Sequence, residues 1–437
     1  MNARAPLRSV AVVGGGPVAL VSAVALQQAL PGAEVMLVPA PVPADALADR
    51  FPLALPAVHD VLARIGMMPD LLLARGVARP RQASAFADWS RDGAEWMVGD
   101  DAAATLSQGR LASLWLRAQA AREQVPPFHA LVPACVAAMA GITDPRVEPA
   151  LDLDPARMAQ ALASIAGQAG VRFAAPFAGI GADGTIRLQD GAQVAADLLI
   201  DASGPARLLC GERAFEDWRD ALPDGRVLFV AASDDPGSCD RYHATAQGWR
   251  ATWPGVRVEM GGEGIAIAPG RLAEPLAGRT VALGDAAVQP GALCRTGFTL
   301  ALGHLALLLE LLPAQEPEPL LQAEFNRRAR LQAERMRDFL ALHYHGGGRT
   351  AGPFWRGLRA AGRPASLDRL LAQFARRGQV VPADEELVQR DAWTAVPLGQ
   401  GMRPERPDPV TLSVAPAEAA RLIRDLAARL AVLDYPA

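Results

Sequence analysis

Gly284 and Asp285 close one apolar run, and Cys294, Arg295, Thr296 and Gly297 open a second, longer one. A glycine lets backbone come close to a ligand. An aspartate ahead of a helix, whose first N–H groups favour electron-rich partners, supplies the rest of what is needed to hold a flavin edge-on. The thiol of Cys294 and the guanidinium of Arg295 sit in the same loop, where they would decide what such a flavin does.

These residues need a frame. The run SVAVV predicts a strand at Ser9–Val13, and Gly14-x-Gly16-x-x-Ala19 then opens a helix over residues 17–30. Gly14 permits the tight turn, Gly16 lets a diphosphate approach, and Ala19 allows close helix–strand packing. The acid expected after the second strand to bind ribose is missing: Pro39 stands there, and an anchor needs Asp45 or Asp49 to fold back. A buried strand ending in Asp201-Ala-Ser-Gly204 is a second closing element, and Gly284-Asp285 is the third. Three such pieces in this order favour FAD over NAD.

Between them, RVLFVAAS, GWRATWP, VRVEM and GIAIAP alternate as antiparallel strands do. After residue 312 the pattern becomes helical, with a terminal amphipathic helix over residues 415–433. The expected fold is α/β: an FAD-binding Rossmann-like lobe with an antiparallel β-sheet substrate region and a helical C-terminal lobe. The FAD lobe spans 1–312, with core segments 1–80, 150–225 and 270–312 and the β-rich insertion at about 81–149 and 226–269. The helical lobe is 313–437.

A net charge of −4 makes no case for nucleic acid or an anionic membrane. Four scattered cysteines without CxxC spacing suggest neither metal nor disulfides, and fit a reducing, cytoplasmic setting. Residues 10–26 are apolar after two arginines, but the Gly14–Gly15–Gly16–Pro17 break argues against a secretory signal. Residues 297–312 are shorter than the roughly 20 a membrane span needs and include His304 and Glu310, so they predict a buried core helix. The chain contains no lysine.

GGGPVA, Asp201-Ala-Ser-Gly204, Gly284-Asp285-Ala-Ala, RMRDFLALHYH with PFW after it, and DAWTAVPLGQGMRP with Trp393 occur in the order seen in flavin-dependent halogenases of the tryptophan halogenase type. The chain resembles that family along nearly its whole length, as a divergent member. The resemblance implies reduced FAD supplied by a separate flavin reductase, and oxidation of chloride or bromide by oxygen. The resulting oxidant would pass to a lysine and a glutamate beside a small aromatic substrate. It further implies that RQASAFADW sets Arg81 at the lysine position, with Phe86 and Trp89 kept, and that ALCRTG sets Cys294 at the glutamate position and Arg295 beside it. The tryptophan pair said to exclude monooxygenation reads Trp249, Ala251, Trp253, with one tryptophan missing.

The expected site is then Arg81, Cys294 and Arg295 for chemistry, and Gly14, Gly16, Ala19, Asp201, Gly204, Gly284, Asp285, Thr296 and Gly297 for FAD. Phe86, Trp89, Trp249, Trp253 and Trp393 would face substrate. Arg295 holds an anion or pairs with Asp285. Cys294 is either reactive or an ordinary buried small residue. His343 and His345 read as packing or helix-end residues. The leading expectation is an FAD-dependent oxidoreductase of halogenase type, with a flavoprotein monooxygenase and a non-catalytic ligand-binding relative as alternatives. A homodimer is compatible with each.

Overall fold

The computed structural model describes residues 5–99, 110–349, 351–381 and 383–431. It divides into two compact units. The first comprises Met1–Arg79, Leu151–Trp218 and Ile267–Met336; the second comprises Pro80–Ala150, Arg219–Ala266 and Arg337–Ala437.

The first unit is built on a six-stranded sheet. Strand β1 (Ser9–Val13) lies between β2 (Glu34–Val38) and Leu198–Asp201, parallel to both, with Val13 opposite Val38 and Asp201. Thr280–Ala282 adds a further parallel strand. Val10, Ala11, Val12 and Val13 are all buried, so the run is continuously apolar rather than alternating, as expected where both sheet faces are covered. Gly14 N–H donates to Val38 O at 3.1 Å and turns the chain into helix α1 (Pro17–Ala29), where Pro17 fits the first helical position because no intrahelical N–H is needed there.

Gly297–Glu310 is the buried helix expected from its sequence. Among the described residues, Leu293–Glu310 is long and apolar enough to cross a membrane, yet 83% of that stretch is buried inside the fold. His304 on this helix has a ring nitrogen 3.1 Å from Ala329 O, and burial pushes its pKa down to about 4, so it is neutral.

The second unit centres on a seven-stranded sheet ordered Ile265–Ile267, Gly225–Ala231, Val256–Met260, Gly248–Trp253, Cys239–Thr245, Ala83–Ala87 and Trp96–Gly99. The antiparallel expectation needs one correction. Cys239–Thr245 pairs with Ala83–Ala87 in parallel, because these strands are far apart in sequence and no hairpin fixes their direction. Alternation decides the faces: Asp240, Tyr242 and Ala244 are buried, while Arg241 and His243 point outward. Helices Pro353–Ala361, Ala365–Arg377, Arg390–Gly399 and Pro416–Ala431 follow. Residues 432 and 433 of the expected terminal helix lie outside the described residues.

Candidate active site

The glycine turn of the first unit makes a helix N-terminus that can receive an anion. Pro17 brings no N–H, so Val18 N–H is the first donor that α1 offers. It donates to Asp49 Oδ1 at 2.9 Å. Asp49 sits on the short helix α2 (Leu47–Arg50), and a Cβ placed on Gly16 would run into its carboxyl group. The close approach that Gly16 permits is therefore taken by a side chain of this protein. Burial pushes the Asp49 pKa up to about 7, against the lowering effect of Val18 N–H.

The rest of the same segment lines the crevice. Ala48 N–H donates to Asp285 Oδ2 at 2.7 Å. A Cβ on Gly204 would lie 3.0 Å from Ala46 Cβ, and one on Gly297 would lie 3.2 Å from Ala48 Cβ. Gly284 adopts φ +62 against Val18, with Cγ1 3.1 Å from where its Cβ would be. Burial holds Asp285 well above the usual carboxylate range; Asp49 and Asp45 add to this, and Ala48 N–H and Arg207 oppose it. Asp201 organises its own loop: its carboxylate accepts from Ser203 Oγ at 2.6 Å, Leu209 N at 2.8 Å and Cys210 N at 2.9 Å. Ala19 is fully buried inside α1.

Arg295 does not pair with Asp285. Its Nη1 lies 2.6 Å from Asp152 Oδ1, and its side chain is only 4% exposed. Asp152 follows the buried Leu151 on the short strand Ala150–Leu153, which brings it to the loop. Cys294 (φ 58) and Arg295 (φ 53) are consecutive left-handed residues, a conformation that costs a non-glycine residue roughly 1–2 kcal/mol. Both are buried, as is Thr296, whose Oγ1 has no hydrogen-bond partner.

In the second unit Arg81 is also buried. Its Nη1 lies 3.3 Å from Asp240 Oδ2 and 3.2 Å from Ser84 Oγ. Phe86 stacks between Trp96 and Tyr242, with ring centroids 4.4 and 5.0 Å away. Trp89 Nε1 donates to His343 O at 2.6 Å, Trp249 Nε1 to Tyr344 Oη at 3.1 Å and Trp253 Nε1 to Tyr242 Oη at 3.2 Å. These indoles are buried and their N–H groups are used within the aromatic core, as is expected of packed tryptophans. Trp393 packs edge-on against Phe339 at 5.2 Å. Burial pushes the pKa of His343 down to about 4 and also lowers that of His345. Gln400 of the GQG stretch ties this region together. Its amide nitrogen donates to Leu342 O and His343 O, and its oxygen accepts from Gly348 N.

The sequence profile described as tryptophan halogenase matches residues 9–254 and 250–416. The chain belongs to the tryptophan halogenase family. Its fold matches BrvH, a flavin-dependent halogenase from Brevundimonas sp. BAL3, at TM-score 0.85 and 26% identity over 99% of this chain and 98% of that one. It matches Xcc4156, a flavin-dependent halogenase from Xanthomonas campestris, at TM-score 0.83 and 22% identity over 97% and 95%. A tryptophan 6-halogenase, SttH from Streptomyces toxytricini, superposes at TM-score 0.82 with 19% identity over 98% of each chain.

Membership in the tryptophan halogenase family implies FAD and a halide. The crevice as folded does not fit FAD. A diphosphate would need the helix end that Asp49 occupies, and three of the cofactor glycines, Gly16, Gly204 and Gly297, face residues 46–49. The sequence offers Asp49 as a ribose anchor, whereas the fold sets it against Val18 N–H. Its real position, and the partners Asp152 and Asp240, leave no local sequence signal.

The same unit as Arg81 carries a cavity of about 820 Å³ on the outer sheet face. Ala85, Ala87 and Thr252 are among its lining residues, as are Arg241, Arg250, Arg257 and Glu259. Arg250 pairs with Glu259 at 2.9 Å.

Proposed function

We propose that this chain is a non-halogenating member of the tryptophan halogenase family, a ligand-binding relative on the halogenase scaffold. The observation that carries this reading is the buried Arg81–Asp240 pair in a chain without lysine. A guanidinium stays protonated, so it is a poor amine for taking up an electrophilic halogen. Arg295, the other arginine at an expected reaction position, is tied to Asp152 in the same way. The sheet-face cavity, with arginines and a glutamate over small residues, suits a small ligand that has a charged group and a modest apolar body.

The test is turnover by the full chain with chemically reduced FAD, oxygen, bromide and an electron-rich aromatic such as indole. The expected result is no brominated product above the protein-free control; a brominated product overturns the proposal.

The retained frame of Gly14, Gly16, Ala19, Gly204, Gly284 and Gly297 supports a second reading. In it the chain is an FAD-dependent oxidoreductase of an aromatic substrate, fed by a reductase, once residues 46–49 withdraw. FAD bound in the crevice would supply the oxygen-activating chemistry, and Arg295 and Arg81 would hold anions. A hydroxylated product formed without halide would select the monooxygenase form of this reading.

A further inference from the structure

We propose that Asp49 is this chain's own substitute for a cofactor diphosphate, and that residues 46–49 keep the dinucleotide crevice closed to FAD. Four positions that a flavoprotein keeps open for its cofactor each meet that segment. Gly16 faces the Asp49 carboxyl, Gly204 faces Ala46, Gly297 faces Ala48, and Asp285 accepts Ala48 N–H. Ala46, Ala48 and Asp49 each make at least one of these contacts, so the segment meets the crevice at several positions.

The electrostatics agree with the geometry. A helix N-terminus favours an electron-rich partner, and its first donor, Val18 N–H, already has one in the Asp49 carboxyl. Burial raises the pKa of Asp285, and Asp49 and Asp45 raise it further. A diphosphate entering beside Asp49 and Asp285 brings negative charge to a place where burial already disfavours it. Arg207 is the cation acting on Asp285, and its Nε donates to Ala286 O at 3.1 Å while its guanidinium lies over Phe215 at 4.0 Å. FAD therefore has to displace Asp49 before it can use α1.

This inference deepens the reading of a non-halogenating chain but fails separately from it. A variant that binds FAD still has no lysine, and a wild-type chain that binds FAD still need not halogenate.

The experiment titrates the full-length chain with FAD, following flavin fluorescence polarisation, with riboflavin as the control that lacks a diphosphate. Asp49→Ala is expected to gain at least about tenfold in FAD affinity over wild type, an effect of about 1.4 kcal/mol, with no matching gain for riboflavin. Asp49→Ser is a second variant with a side chain too short to reach Val18 N–H in the same way. Hydrogen exchange at Val18 reports the cap without any ligand: protected in wild type, and about tenfold faster in both variants. The proposal is overturned if wild type already binds FAD as tightly as the variants do. It is also overturned if Val18 exchange is unchanged by Asp49→Ala, or if both variants fold, lose Val18 protection and bind FAD no better.

Discussion

Asp240 and Asp49 are both almost fully buried, at 1% and 5% exposure, and the chain compensates them differently. Asp240 meets a guanidinium, Arg81 Nη1 at 3.3 Å. Asp49 meets a backbone N–H at a helix end, Val18 at 2.9 Å. A full cation offsets much of the desolvation of a carboxylate; a single amide with the partial charge of a helix end offsets less. The consequence is visible at Asp49, whose pKa burial drives to about 7. In the Arg81 region a buried guanidinium is matched by a buried carboxylate. In the crevice the glycines are present and the Asp49 carboxyl sits at the helix end. A glycine-rich turn and a side chain seated at its helix end thus occur together in one crevice.

The largest expected effect separates the two kinds of compensation. Asp240→Ala leaves Arg81 as a buried charge without this partner and is expected to cost about 3–5 kcal/mol, while Arg81→Met with Asp240→Leu is expected to stay within about 1 kcal/mol of wild type or exceed it. Urea melts read by tryptophan fluorescence suit this test, because Trp89, Trp96, Trp249, Trp253, Trp355 and Trp393 all lie in the second unit. A loss below about 1 kcal/mol in Asp240→Ala would mean that the pair does not carry the compensation.

Next in size is the pH dependence of Asp49. Its folded pKa of about 7 lies above the unfolded value, so the folded state binds the extra proton. Stability is fully present below about pH 4 and is lost as pH rises through 7. Asp49→Asn removes that loss and can still accept Val18 N–H through its amide oxygen. It is expected to be more stable than wild type at pH 8, by at most about 4 kcal/mol, with the difference vanishing below about pH 4. Thermal melts of both proteins across this range check it; a gain that is flat with pH would contradict the raised pKa.

Both regions show where sequence reading stops. The strand, glycine turn and helix at residues 9–30 were legible because hydrophobic pattern and turn chemistry are local. The alternating strands of the second unit were legible for the same reason, apart from one parallel pair whose direction no hairpin sets. The partners of the charged residues were not. Arg81 and Asp240 are 159 residues apart, Arg295 and Asp152 are 143 apart, and Asp49 reaches back 31 residues to Val18. Such pairings are decided by tertiary packing, and arginine or aspartate in a sequence does not declare its partner.

A smaller effect tests the contact between Gly16 and Asp49 directly. A methyl group at Gly16 runs into the Asp49 carboxyl, so Gly16→Ala is expected to destabilise by about 1–3 kcal/mol. In an Asp49→Gly background the same change should cost much less, giving a coupling of about 1 kcal/mol or more in a double-mutant cycle. Additive losses would place the strain at the turn itself and not against Asp49.

The smallest expected effect belongs to Cys294, at the position that the family resemblance assigns to a glutamate. With φ 58, it adopts a conformation that disfavours any Cβ, and Arg295 beside it does the same. Replacing Cys294 by alanine removes the buried thiol and keeps the Cβ; replacing it by glycine removes both. The difference between these two variants therefore isolates the backbone conformation from side-chain burial. Alanine normally exceeds glycine in stability, because glycine has more freedom to lose on folding. Here the order should reverse, with Cys294→Gly the more stable of the two by about 1 kcal/mol in thermal or urea melts. Alanine the more stable by its usual margin would mean that the loop relaxes out of the left-handed conformation, and that the Arg295–Asp152 pair is not what holds it there.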